Sequence, residues 1–325
     1  MSRIRWLILL IGPLPIAGSS WAVSAWFRSP PISVAHNTVA PAPDGELRYS
    51  TAFRPLPARS GSDAALDRDC AQTAARLERE LNGECRVVVR APFVLAGDLA
   101  RDELENWHDA TIAPAVRAME ERYFKTRPTR PVTVLLFRNE QSYDHYCRRL
   151  FGDGDISIYG YYKPNLRTMV LNVGTGSGTL LHELTHALMD FDFPEAPDWL
   201  NEGLASMHEQ CRFRDGADGP WIEGLVNWRL AGLQEVIRQG QLRSLEALVE
   251  DRDFRGPLVG TNYAQARYFC QYMQHRGVLE KFFRTFRDSH AHDPRGAKAI
   301  VDVFESMTWA DLDRDFQRWV SQLTE

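Results

Sequence analysis

The chain has 325 residues, 44% of them hydrophobic and 25% charged, with 43 acidic side chains against 38 lysines and arginines. A formal net charge of −5 without a basic stripe argues against a nucleic-acid partner, because neutralising phosphates takes clustered lysine and arginine. No internal repeat divides the chain, so a solenoid or propeller is excluded.

Arg3 and Arg5 open the chain, Trp6 to Ile11 with Leu14 and Ile16 form an apolar centre, and small residues lead to Ser20-Trp21-Ala22. Residues 1–22 therefore read as a signal peptide cleaved after Ala22, with Ala25 as the alternative. No charge falls between Arg5 and Arg28, so the same stretch is also long enough to remain as a membrane anchor, although Gly12, Pro13, Pro15 and Gly18 weaken it. Either way the remainder is expected outside the cytoplasm: periplasmic, secreted, or tethered to the membrane. Loss of the leader removes Arg3 and Arg5 and no acid, taking the net charge from −5 to −7. Residues 23–60, with Pro30, Pro31, Pro41, Pro43, Pro55 and Pro57, read as an extended linker.

Residues 61–325 are expected to form one domain, long enough for a single well-buried core. Its first half, 61–178, carries the strands. Ala65 to Leu81 is an amphipathic helix, Cys85 to Val94 a strand, and Leu104 to Phe124 a helix that Pro114 kinks or breaks. Pro131 to Phe137 is a buried strand and Asn139 to Leu150 another helix. Tyr159-Gly160-Tyr161-Tyr162, a Lys163-Pro164-Asn165 turn and Arg167 to Asn172 are aromatic and β-branched enough to form a hairpin. Gly174 to Gly178 is a flexible approach to the next helix. No Lys-Ser or Lys-Thr follows its last glycine, so it is no P-loop. Ser177 or Thr179 is the expected N-cap, and Leu180, Leu181, Leu184, Ala187 and Leu188 recur at helical spacing.

That helix contains His182-Glu183-Leu184-Thr185-His186. Histidines four apart share one helix face, about 6 Å from each other, and both imidazoles can reach one metal ion. Glu183 falls beside the metal, where a general base for a metal-held water belongs. The run from Asp192 to Asp198, with Pro194 and Pro197, turns the chain into a second helix, Trp199 to Glu209, which brings Glu202 back as third ligand. Two imidazoles and a carboxylate leave one tetrahedral position open, the pattern of catalytic zinc. Asp192 is a rival third ligand, six residues after His186, where metzincin-like chains place theirs, but those chains need a glycine where Met189 stands.

His-Glu-Leu-Thr-His-Ala-Leu followed by Pro-Asp-Trp-Leu-Asn-Glu-Gly-Leu-Ala resembles the gluzincin clan of zinc metallopeptidases, nearest the peptidase MA-like group, relatives of thermolysin and the zinc aminopeptidases. The resemblance spans roughly residues 130 to 325 and is strongest from Gly160 to Ala205. It implies an α+β, thermolysin-like zincin fold: a small mixed sheet with an edge hairpin, then a mostly helical lobe over 179–325. It further implies one Zn²⁺ held by His182, His186 and Glu202, with Glu183 as catalytic base. The hairpin would bind extended peptide or protein substrate, with Tyr161, Tyr162 and Asn172 as candidate contacts. Many gluzincins stabilise the oxyanion with a tyrosine hydroxyl well beyond the glutamate ligand, a place Tyr263 would take, with Tyr268 in reserve. The family's acid four residues after that glutamate is Ser206 here, so orientation of a histidine would pass to Asp190, Asp192 or Asp198. Without a Gly-Ala-Met-Glu-Asn run, cleavage within chains is expected over N-terminal trimming.

The second half is expected to be almost wholly helical: Trp221 to Gln239, Ser244 to Glu250, Thr261 to His275, Leu279 to Phe286 and Trp309 to Leu323. Cys70 and Cys85, near in sequence and flanking one turn, are the expected disulfide among the five cysteines, and no C-x-x-C pair suggests a cysteine metal site. The sequence thus reads as an exported zinc metallopeptidase. The alternatives are a catalytically silent zinc-containing binding protein of the same fold, or a metal-dependent hydrolase of a non-peptide amide such as a cell-wall cross-link.

Overall fold

The computed structural model describes residues 63–324, apart from 155, 156, 218 and 306. The expected leader and proline-rich linker lie outside the described residues. Period-two alternation along the strands builds the first half. Strands β1 (Arg86–Arg90), β2 (Phe93–Gly97), β3 (Val132–Phe137), β4 (Gly160–Lys163) and β5 (Thr168–Asn172) form one sheet in the order β1-β2-β3-β5-β4. The inner three run parallel, and β1 and β4 are antiparallel edges. Val94, Ala96, Leu135, Phe137 and Val170 face a small core under α1 (Asp63–Glu80) and α4 (Glu140–Phe151). Their alternates Leu95, Val134, Leu136, Met169 and Leu171 face a larger core shared with the later helices. Covered on both sides, β3 buries all of its residues.

Local departures from the expected elements have local causes. The strand expected over Cys85 to Val94 is a hairpin, because the chain turns at Ala91-Pro92 and β2 pairs back on β1. The break expected at Pro114 is a π-helical turn, His108–Ile112, joining α2 (Arg101–Trp107) to α3 (Ala113–Arg122) ahead of the proline that lacks an N–H. Helix α5 (Ser177–Asp192) is capped by neither Ser177 nor Thr179. Gly176 caps it at φ 92°, a conformation that favours glycine.

Helix α6 (Asp198–Glu209) packs between α5 and a later helix, α9 (Val259–His275). The approaches are close on both sides. A Cβ on Gly178 would lie 2.4 Å from Glu209 O, and one on Gly203 2.8 Å from Ala266 O. After α6 the expected helix from Trp221 gives way to a hairpin, β6 (Cys211–Gly216) and β7 (Gly219–Gly224), and helix resumes only at α7 (Arg229–Arg238). Gly216, Gly219 and Pro220 around the turn favour that outcome. Helices α8 (Leu245–Val249), α9, α10 (Leu279–Ser289), α11 (Ala297–Val303) and α12 (Trp309–Gln322) complete an α+β fold, α11 being unanticipated. Among the described residues no helix is long and apolar enough to cross a membrane.

Candidate metal centre

Helices α5 and α6 bring His182, His186 and Glu202 together as a group that could hold a metal ion. The Nε2 atoms of His182 and His186 are 2.9 Å apart, and Glu202 Oε2 lies 3.5 Å from the first and 3.6 Å from the second. A triangle with those sides has a point about 2 Å from every corner, which is the length of a Zn–N or Zn–O bond. Glu202 is only 3% exposed and its Oε2 has no hydrogen-bond partner. A buried anionic oxygen with no hydrogen-bond partner, facing two imidazole nitrogens, is the provision a cation requires.

Each imidazole is held from behind. His186 Nδ1 lies 2.8 Å from Asn201 Oδ1. An amide oxygen only accepts, so Nδ1 carries the proton and Nε2 presents its lone pair. His182 Nδ1 lies 3.0 Å from Glu209 Oε1, in a contact not aligned as a hydrogen bond. Arg229 grips both oxygens of Glu209. Neither Asn201 nor Glu209 is among the residues expected from the sequence. Their signal was that Asn201 adjoins Glu202 while Glu209 stands two turns beyond it, on the same face of α6.

The aspartates expected in this role do not fill it. Asp192 accepts from the Lys125 and Thr126 amides at 2.7 Å and pairs with Arg287 at 2.8 Å, which also removes it as a third ligand. Asp190 stands beside the Tyr162 hydroxyl, and Asp198 heads α6. Ser206 is buried, and its carbonyl takes a bond from Arg267.

The field at the centre favours positive charge. Burial opposes an imidazolium at His182, but Glu202 and Glu209 outweigh it and push the ring up to about 10. His186 is raised likewise, burial being overcome chiefly by Glu202. Burial pushes the Glu202 carboxyl up, yet the two imidazoles hold it well below the usual range. Glu183 is 8% exposed; burial raises its pKa against the pull of both histidines, which makes it a better base.

Tyr263 stands beside Glu202, and Arg255 bridges the two. Arg255 Nη1 donates to its hydroxyl at 2.8 Å, and Arg255 Nη2 donates to Glu202 Oε1. The reserve, Tyr268, is fully buried, and its hydroxyl exchanges bonds with Asn227. Arg255 lies in the loop before α9, where no spacing rule points to it.

The hairpin corrects two of the three expected substrate contacts. Tyr161 turns to the α4 side of the sheet, away from α5, and donates to Asp153 at 2.6 Å. The Asn172 side chain closes the loop after β5, donating to Ile158 O at 3.2 Å and accepting from Gly174 N at 3.1 Å. Tyr162 alone packs on the side of α5. Among the described residues strand β4 has no neighbour on its outer side. Because Asn172 N donates to Tyr159 O, antiparallel alternation leaves the peptide groups of Gly160 and Tyr162 facing that open edge.

Nor do Cys70 and Cys85 form the expected disulfide. All five cysteines are thiols, with Cys70 Sγ 3.8 Å from Pro92 O and Cys85 beside Tyr146, so the two face different neighbours.

A polar layer lies behind α5 and α6. Arg267 is fully buried and binds the carbonyls of Ser206 and Leu225. Thr185 Oγ1 donates to Leu181 O at 2.7 Å and therefore accepts from Nδ1 of fully buried His208 at 2.8 Å. Burial, then the charges of Arg267 and His182, push His208 down to about 3.

Residues 178–295 match a family whose description reads only protein of unknown function (DUF1570). Over that span the chain is similar to this family. The match takes in both histidines, Glu183, Glu202, Arg255 and Tyr263. No curated protein matches the chain.

Proposed function

We propose that the protein is an exported zinc-dependent peptidase that cleaves within peptide chains. The observation that carries this reading is the triangle of His182 Nε2, His186 Nε2 and Glu202 Oε2 with basic Glu183 at its side. Those three atoms would hold the ion, and Asn201 and Glu209 fix the rings that offer two of them. Zinc bound there would act as a Lewis acid toward a substrate carbonyl and acidify a water. Glu183 takes the proton of the attacking water and returns it to the leaving amine. The open edge of β4 offers the peptide groups of Gly160 and Tyr162 to an extended substrate as one more strand. The Tyr263 hydroxyl donates to the carbonyl oxygen as negative charge gathers on it, a contribution of about 2–4 kcal/mol.

The test is cleavage of a peptide library, read by mass spectrometry, with the full chain and with Glu183→Gln, zinc content being measured in both. The variant is expected to keep its zinc while turnover falls by about 10²–10⁴. Equal cutting by both proteins would refute Glu183 as the base. A zinc-loaded parent that cuts nothing would favour a zinc-holding binding protein or a hydrolase of another amide.

A further inference from the structure

We infer that Arg255 is a positioning residue that couples the ligand Glu202 to the Tyr263 hydroxyl, deciding which carboxylate oxygen faces the imidazoles and which way the phenol proton points. The inference rests on the zinc-site reading above. Glu202 divides its oxygens: Oε1 takes the Arg255 bond and Oε2 stands at the two histidines. With Oε1 engaged, the carboxylate can approach an ion through one oxygen only, which keeps a fourth coordination position open for chemistry. At Tyr263 the constraint is one of proton direction. A guanidinium only donates, so the phenol oxygen accepts from Nη1 and its own hydrogen must point away from Arg255.

The residue is built to hold that posture. Phe254, one residue earlier, is buried, its ring 5.3 Å from that of Tyr263, and its carbonyl accepts from Asn262 Nδ2 at 2.7 Å. The backbone is thus pinned to α9 on the near side of the site. The Arg255 side chain is 57% exposed and that of Glu202 only 4%. An exposed ion pair contributes little, but this one has a buried anion whose orientation depends on it. Exposure also means that removing the guanidinium leaves the core intact.

The experiment is a zinc titration of the full-length protein against a chromophoric chelator, for the parent, Arg255→Met, Arg255→Lys and Tyr263→Phe. Arg255→Met is expected to weaken zinc binding by about 10–100-fold, as loss of an outer partner does. Arg255→Lys should fall between, since an ammonium restores charge without the planar fork, and it serves should the methionine variant fail to fold. Tyr263→Phe should bind zinc like the parent. In zinc-saturated samples kcat falls in Arg255→Met and in Tyr263→Phe, while a protein carrying both substitutions, Arg255→Met and Tyr263→Phe, is no slower than the worse single. Arg255 variants with the parent's zinc affinity would overturn the inference. A parent that binds no zinc would overturn both the inference and the reading beneath it. Loss of affinity in a protein that cleaves no peptide would support the coupling to Glu202 and sink only the peptidase.

Discussion

The two histidines of α5 are held by different chemistry. His186 leans on the neutral amide of Asn201, whereas His182 faces a carboxylate that Arg229 grips from the other side. Asn201→Ala would leave the His186 ring able to turn over and present the wrong nitrogen. Zinc affinity should then fall by about 10–100-fold with helical content unchanged. An unaltered affinity in a chelator competition would show that the amide orients nothing. At this scale the sequence disclosed what spacing along one helix can disclose. The pairing of His182 with His186 follows from an interval of four, and the place of Glu202 beside them from a helix that a turn sends back. Asn201, Glu209, Arg229 and Arg255 stayed hidden, because a position on a helix face or in a loop does not say what it will meet. Tyr161 and Tyr162 show the same limit in a strand. Alternation puts them on opposite faces, but only the neighbours decide which face sees α5.

Among the elements, the spacing of α5, α6 and α9 governs the site. Gly203 stands where a Cβ would be 2.8 Å from Ala266 O and 2.9 Å from Cys270 Sγ. Gly203→Ala must push α6 off α9, carrying Glu202 with it. The expected cost is about 1–3 kcal/mol, seen as a lower urea midpoint together with weaker zinc binding. A variant as stable as the parent would mean that α9 yields more easily than a backbone carbonyl should. Long periodic elements were legible: α1, β3, α4, the β4–β5 hairpin, α5, α6, α9 and α12 stand close to where the pattern put them. The misses are short. The apolar run around Pro92 hid a turn, β6 and β7 fit both periods over so few residues, and the seven residues of α11 are too few to show a helical period.

At the scale of the whole molecule, the charge state of buried His208 contributes a limit on stability in acid. In the unfolded chain His208 would take up a proton near 6.5, whereas in the fold burial, Arg267 and His182 hold it neutral to about 3. Between those values the unfolded state binds more protons. Stability is therefore lost as pH falls through that window, by about 1.4 kcal/mol per unit for this one group. Urea unfolding of the metal-free protein at pH 7 and pH 5 should show the decline, and His208→Gln should flatten it. Parallel slopes for parent and variant would mean that other groups account for the loss.

Apolar contact between α6 and α9 fixes how far apart the helices stand but is nearly indifferent to sliding. The guanidinium of Arg267 is not indifferent: it rises from α9 to clasp Ser206 O, four residues past Glu202, and Leu225 O beyond the β7 hairpin. Slippage by a single residue would shift the helix about 1.5 Å along its axis, most of a metal–ligand bond length. Arg267 is thus an indexing pin. It costs the protein a buried charge, and in return Glu202 on α6 has one stop along its track.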